Sequence, residues 1–265
     1  MGSVLLLIDN SNIYVSTVQY FDKDARLSYD RFENVCRGND VIIEKHLAGS
    51  TPPANDAFWS RMERIGYKVH TYERVPDGYG HKKEKGVDMA IGVWGGAAIQ
   101  RLKPERVVLL TGDRDFIPFT GLRDEMRQLQ GHSFELDVWS FSDSLSSKLE
   151  KACDHVYKIE DYKERLIYFQ YEDGTIELFT EREKRIEAER IALLEAQNAA
   201  QEKREAEKAA QDLIRAKEKA TEEKRKAAAA ETRRKIWAKI RQGGLVATGL
   251  AIAGIALNAV LRRDK

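Results

Sequence analysis

VVLLTGDRDFIPF, residues 107–119, runs four apolar residues into a small turn and then sets Asp113 and Asp115 on either side of Arg114. A short continuous apolar run closed by a turn reads as a strand covered on both faces, as in parallel sheets flanked by helices. Four other runs share this character: VLLLID (4–9), DVIIEKHL (40–47), YKVHTYERV (67–75) and ELDVWSF (135–141). With RVVLLTG (106–112) they make five strands, and helical spacing occupies 54–65, 87–101 and 115–129. The alternation predicts an α/β fold, a three-layer parallel sheet. In such sheets the working groups gather beyond the carboxyl ends of the strands, around the point where the strand order reverses.

The acids of the chain fall at that edge. Asp9 ends the first strand and is followed by Asn10 and Asn12, Asp88 begins the helix after KKEKGV, and Asp113 and Asp115 lie just past another strand. Four carboxylates so placed converge on one pocket, where like charges raise one another's pKa unless a cation offsets them. Oxygen ligands with no Cys or His beside them suit Mg²⁺ or Mn²⁺ rather than zinc. A cation held this way neutralises charge on a phosphate oxygen and activates water, so the natural reaction is phosphodiester hydrolysis. Each acid also reads as a helix N-cap: Asp113 or Asp115 for the helix near Phe116, whose first turn tolerates Pro118, and Asp88 for the helix of Met89, Ile91 and Val93.

The run LLLIDNSNI, the KGVD before an apolar helix, and TGDRDFIPF followed by a helix, ELDVWSF and SDSLSSKL together resemble the NYN domain, a branch of the PIN-like nucleases. The resemblance covers roughly residues 3–160 and implies a PIN-like sheet and a metal-dependent endoribonuclease. It also implies that Asp9, Asp88, Asp113 and Asp115 are the metal-site acids, with Asn12 beside them. In the expected division of labour, Asp9, Asp88 and Asp113 ligate one ion. Asp115 serves a second ion or the attacking water, and Asn12 completes the shell through its amide. Family members commonly carry a small residue, often Ser, where this chain has Arg114.

RNA is the expected partner, single-stranded or looped, because a sheet-edge pocket reaches a backbone phosphate more freely there than in a duplex. Expected substrate contacts are Lys82, Lys83 and Lys85 in the loop ERVPDGYGHKKEKG (73–86), with Tyr79 as a stacking ring. Arg114 either steers a phosphate or offsets the acids, and Ser144 either bonds a phosphate or caps a helix. His46, His70, His132 and His155 show no ligand spacing, and the four tryptophans read as packing residues. Residues 1–165 carry 23 basic and 26 acidic side chains, so a broad basic surface is excluded as the means of binding RNA. Two distant cysteines, Cys36 and Cys153, and no leader ahead of the first strand read as a reducing, cytoplasmic head (1–165) without disulfides or a zinc site.

Beyond the head, LIYFQYEDGTIELF (166–179) predicts a β-hairpin across Asp173-Gly174, either a linker packed back on the head or a self-association element. Residues 180–242 are almost wholly Ala, Glu, Lys, Arg and Gln and predict one long helix, solvated or in a weak coiled coil that makes a homo-oligomer. GGLVATGLAIAGIALNAVL (243–261) has no charge over 19 residues and basic flanks. Its length fits a C-terminal membrane span and its Gly and Ala content fits helices packed against copies of themselves. The functional expectation is an endoribonuclease tethered to a membrane or oligomer. The competing one is a catalytically idle nuclease-like scaffold that binds RNA or protein.

Overall fold

Alternate residues of the first strand face two separate cores, and this sets the layering. In the computed structural model, which describes residues 1–50, 57–73, 75–76, 82–83 and 86–242, Val4, Leu6 and Ile8 of strand β1 (Ser3–Asp9) enter one cluster while Leu5 and Leu7 enter the other. All five are fully buried, each worth about 1.5–3 kcal/mol of transfer free energy. A strand covered on both faces needs the unbroken apolar run that the sequence shows.

The chain continues through α1 (Asn10–Tyr20), β2 (Ala25–Leu27), α2 (Tyr29–Arg37), β3 (Val41–Ser50), α3 (Ala57–Arg64) and β4 (Lys68–Tyr72). A short antiparallel pair, β5 (Val75–Pro76) and β6 (Lys82–Lys83), precedes α4 (Val87–Ala90), a π-helical stretch at Ile91–Gly95, and α5 (Gly96–Leu102). Then come β7 (Arg106–Leu110), α6 (Pro118–Gln130), β8 (Glu135–Ser140), α7 (Ser147–Ala152) and β9 (His155–Lys158). The main sheet has the order β4-β3-β1-β7-β8-β9 with every pair parallel. All five expected strands are present, joined by β9 as a sixth.

From β1 the chain moves outward to β3 and β4, then returns to the other side of β1 for β7, β8 and β9. The order therefore reverses between β1 and β7, which opens a crevice at their carboxyl ends. The helix expected over 87–101 is interrupted by the π stretch. Gly95 lies so near the sheet that a Cβ there would come 2.8 Å from Leu7 Cδ1.

After α8 (Lys163–Leu166), strands β10 (Ile167–Gln170) and β11 (Ile176–Leu178) form the expected hairpin, and β10 also pairs with β2. Leu166, Ile167, Phe169 and Phe179 belong to the same core cluster as Val4 and Leu6, so the hairpin packs back on the head. The compact unit extends past the expected boundary at 165 and runs from Met1 to Ala188. The last helix, α9 (Phe179–Gln242), starts in this unit; the second unit begins at Glu189, and its described part is the rest of α9, with every side chain exposed from residue 189 to 241. Among the described residues no helix is long and apolar enough to cross a membrane. The expected membrane span 243–261 lies outside the described residues.

Candidate metal centre

β1 ends in Asp9, whose carboxylate caps α1 by accepting the Asn12 backbone N–H at 3.0 Å. The side chain is buried, and its other oxygen accepts the Thr111 hydroxyl at 3.2 Å. Thr111 Oγ1 in turn accepts the Asp113 N–H at 3.3 Å, so two hydrogen bonds link the end of β1 to the turn after β7. Asp113 caps the 3₁₀ turn Arg114–Phe116 by accepting the Asp115 N–H at 2.9 Å. Capping and clustering are thus compatible for Asp113, which starts the 3₁₀ turn and also lies in a group of three acids.

Carboxylate oxygens of Asp88, Asp113 and Asp115 all lie within 4.8 Å of one another. Asp88 and Asp115 are exposed and Asp113 is half-buried. Three carboxylates in that space, one from α4 and two from the turn after β7, offer the oxygen donors that Mg²⁺ or Mn²⁺ takes, with no sulfur or imidazole among them. Asp9 is linked to one member of this trio, Asp113, through Thr111. Its neighbour Tyr29, which donates to Asn10 Oδ1 at 2.7 Å, is held neutral first by burial and then by the charge of Asp9.

The NYN domain family matches residues 3–160, which is more than half of the chain. The chain belongs to the NYN domain family. No curated protein matches it. Among solved structures, a Vibrio parahaemolyticus protein of unknown function has a TM-score of 0.46 and 19% identity, over 60% of this chain and 94% of that one.

Of the four acids expected as metal ligands, Asp88, Asp113 and Asp115 come within ligand distance of one another; Asp9 does not belong to that group, and its two oxygens accept the Asn12 N–H and the Thr111 hydroxyl. Asn12 Oδ1 accepts the Gly112 N–H at 3.0 Å, so its amide is spent on the backbone of the turn. Ser144 is engaged as well: its hydroxyl lies 3.1 Å from Ser140 Oγ and donates to Phe141 O at 3.2 Å. Arg114 is exposed, with its Nε 3.9 Å from Asp115 Oδ1. Lys82 and Lys83 form β6, whose side chains lie outside the described residues, as do Lys85 and Tyr79.

Three features had no role assigned from sequence. Thr111 joins Asp9 to Asp113 across 102 positions of the chain, a pairing that only the β1–β7 register creates. His46 and His70, on adjacent strands, meet at 3.1 Å, and His46 Nε2 bonds Glu44 at 2.7 Å. Trp94, read from sequence as a packing residue, is half exposed and stacks on His70. Glu135, Asp137 and His155 form a second acidic group, at the amino-terminal edge of β8. There Asp137 is already bonded to Arg106 and His155, and the His155 pKa is raised first by that bond, so its charge has protein partners.

Proposed function

We propose that this NYN domain is a metal-dependent endoribonuclease of PIN-like type that hydrolyses RNA phosphodiester bonds, with Mg²⁺ or Mn²⁺ held by Asp88, Asp113 and Asp115. The observation that carries the proposal is the convergence of these three carboxylates within 4.8 Å at the switch point of the sheet. A divalent cation there supplies positive charge opposite the scissile phosphate and makes water easier to deprotonate. Asp9 adds a fourth negative charge and, through Thr111, orders the turn that presents Asp113. Asp115, whose side chain is 63% exposed, orients the attacking water. Arg114 holds a phosphate oxygen of the strand beside it, and Lys82, Lys83 and Lys85 contact the backbone further along. Ser144 acts on the protein itself, keeping its loop against Gly112.

The tether belongs to the same proposal. Exposed apolar residues along α9, among them Leu193, Leu194, Leu213 and Ile214, support homo-oligomerisation through the stalk. The uncharged 243–261 supports attachment to a membrane from a cytoplasmic head.

Full-length protein incubated with unstructured and hairpin RNAs in Mg²⁺ or Mn²⁺, beside Asp113→Asn, tests the activity. Metal-dependent cleavage that the variant loses is expected. Cleavage that persists in Asp113→Asn removes the metal-site assignment, and no cleavage by the wild type in either metal favours the idle scaffold. DNA and a chromogenic phosphomonoester in the same panel define the substrate class. Membrane fractionation and sedimentation of the full chain against a truncation after Gln242 test the tether.

A further inference from the structure

A groove of about 650 Å³ begins at Asn10, Ser11 and Ser50, at the carboxyl ends of β1 and β3, next in sequence to Asp9. It runs past Tyr14 of α1 and Trp59 of α3 to Tyr171 after β10. Its size lies within the range of small-ligand sites. Its walls are unusual for a protein surface. Tyr14 is 45% exposed, and the Arg26 guanidinium stands 5.2 Å from its ring centroid. That guanidinium is fixed by donating to Lys23 O at 2.7 Å and to Ala25 O at 2.8 Å. Ser50 Oγ and Trp59 Nε1, in the same wall, are buried and find no hydrogen-bond partner among the described residues, a condition that calls for an explanation in a folded protein.

We infer that this groove is a base-stacking subsite for unpaired RNA. Aromatic rings and fixed guanidinium planes are the surfaces on which splayed bases stack, and a duplex hides those faces. Lys23 and Arg26 are offset in the groove by Asp24 and Glu172, with Lys23 paired to Glu172 at 3.1 Å. Base faces rather than phosphate charge are therefore what the groove selects. The inference rests on the nuclease reading only for the course of the strand, which leaves the groove at Asn10 and Ser11 beside the acids.

The test measures binding in EDTA, where no cleavage intervenes. Fluorescence anisotropy of the full chain is recorded with a labelled oligoadenylate, the same strand annealed to its complement, and an abasic strand of equal charge. The single strand is expected to bind at least about tenfold more tightly than either of the others, with Tyr14→Ala losing about tenfold and Tyr14→Phe retaining affinity. Tyr14 projects from an exposed face of α1, so its loss leaves the fold intact, which circular dichroism checks. Equal binding of the abasic strand, or unchanged affinity in Tyr14→Ala, overturns the inference. Ring-dependent binding by a protein that never cleaves removes the nuclease reading alone, and cleavage without ring-dependent binding removes the groove alone.

Discussion

Asn12 fastens the first turn of α1 to the turn after β7: its side-chain oxygen accepts the Gly112 N–H at 3.0 Å while its own N–H serves Asp9 at 3.0 Å. Both sides of the crevice thus depend on one residue. Asn12→Ala leaves the half-buried Gly112 N–H unpaired and is expected to cost about 1–3 kcal/mol in urea denaturation. Calorimetric titration with Mn²⁺ should show weaker binding too, because Asp113 loses its fixed approach. Unchanged Mn²⁺ affinity would assign Asn12 to stability alone.

Gly112 is needed for space. A Cβ on it would meet Ser144 O at 2.2 Å and Ser140 Oγ at 2.7 Å, and Ser140 is fully buried. Ser146 N–H also bonds Gly112 O at 2.9 Å, so the loop cannot simply swing away. Gly112→Ala is expected to destabilise by about 1–3 kcal/mol or more and to displace Asp113. Loss of Mn²⁺ binding at temperatures where the variant is still folded separates the displacement from general instability.

The acidic trio trades stability for binding. Without a cation, Asp88, Asp113 and Asp115 repel one another across less than 4.8 Å. Asp115→Asn removes one charge from a 63% exposed side chain. Thermal unfolding in EDTA should show the variant as stable as the wild type or stabilised by up to about 1 kcal/mol. In Mn²⁺ the wild type should gain stability and the variant markedly less, with affinity reduced at least about tenfold. Equal metal-induced stabilisation of the two proteins would take Asp115 out of the site.

The sheet was legible because β1 and β7 are buried on both faces and carry unbroken apolar runs, and β8 is mostly apolar around its buried Asp137 and Ser140. β9 was not, since it is a four-residue edge strand that includes the exposed His155 and the half-buried Lys158. The π stretch after Asp88 ends at Gly95, whose close approach to Leu7 is a tertiary contact that no local pattern encodes. The acids could be placed because strand ends are readable. The bonds of Asn12 and Thr111 could not, since each joins residues at least 100 positions apart. The groove shares that limit: it is walled by α1, α3 and the hairpin, which only the tertiary fold brings together.

Glu44, His46 and His70 make the fold acid-sensitive. Burial opposes ionisation of Glu44, but bonds from Lys68, His46 and Arg101 outweigh it and lower its pKa from 4.5 to about 2. Burial lowers both histidines below 6.5, and the cations Lys68 and Arg101 act in the same direction on His46. Neutral rings satisfy every bond, with His70 Nε2–H donating to His46 Nδ1 and His46 Nε2–H to Glu44. Unfolded imidazoles take up protons below about pH 6.5, so stability is full above that pH and declines beneath it. The Glu44 share, up to about 3 kcal/mol, is lost between about pH 4.5 and 2. Urea midpoints should fall from pH 7.5 to 5 and again to 3.5, and Glu44→Gln should flatten the second fall. Equal midpoints at pH 7.5 and 5 in His155→Ala, which lacks the opposing gain from that residue's raised pKa, would contradict neutral rings at His46 and His70.

Phe179, the first residue of α9, is part of the head's core. It is 7% exposed, with its ring centroid 5.6 Å from that of Phe21 and 6.1 Å from that of Phe169. One turn later Arg182 lies 3.8 Å over the Phe169 ring and pairs with Asp22. A chain ending at 165 would lose Leu166, Ile167, Phe169 and Phe179 from one core cluster, exposing the strands they cover. Phe179→Ala is expected to cost about 3–5 kcal/mol, and a chain ending at Ala188 should unfold at the same urea midpoint as the full protein. The chain ending at 165 should show no cooperative transition. If it unfolds cooperatively at the wild-type midpoint, the hairpin and the start of α9 are a linker that rests on the head without supporting it.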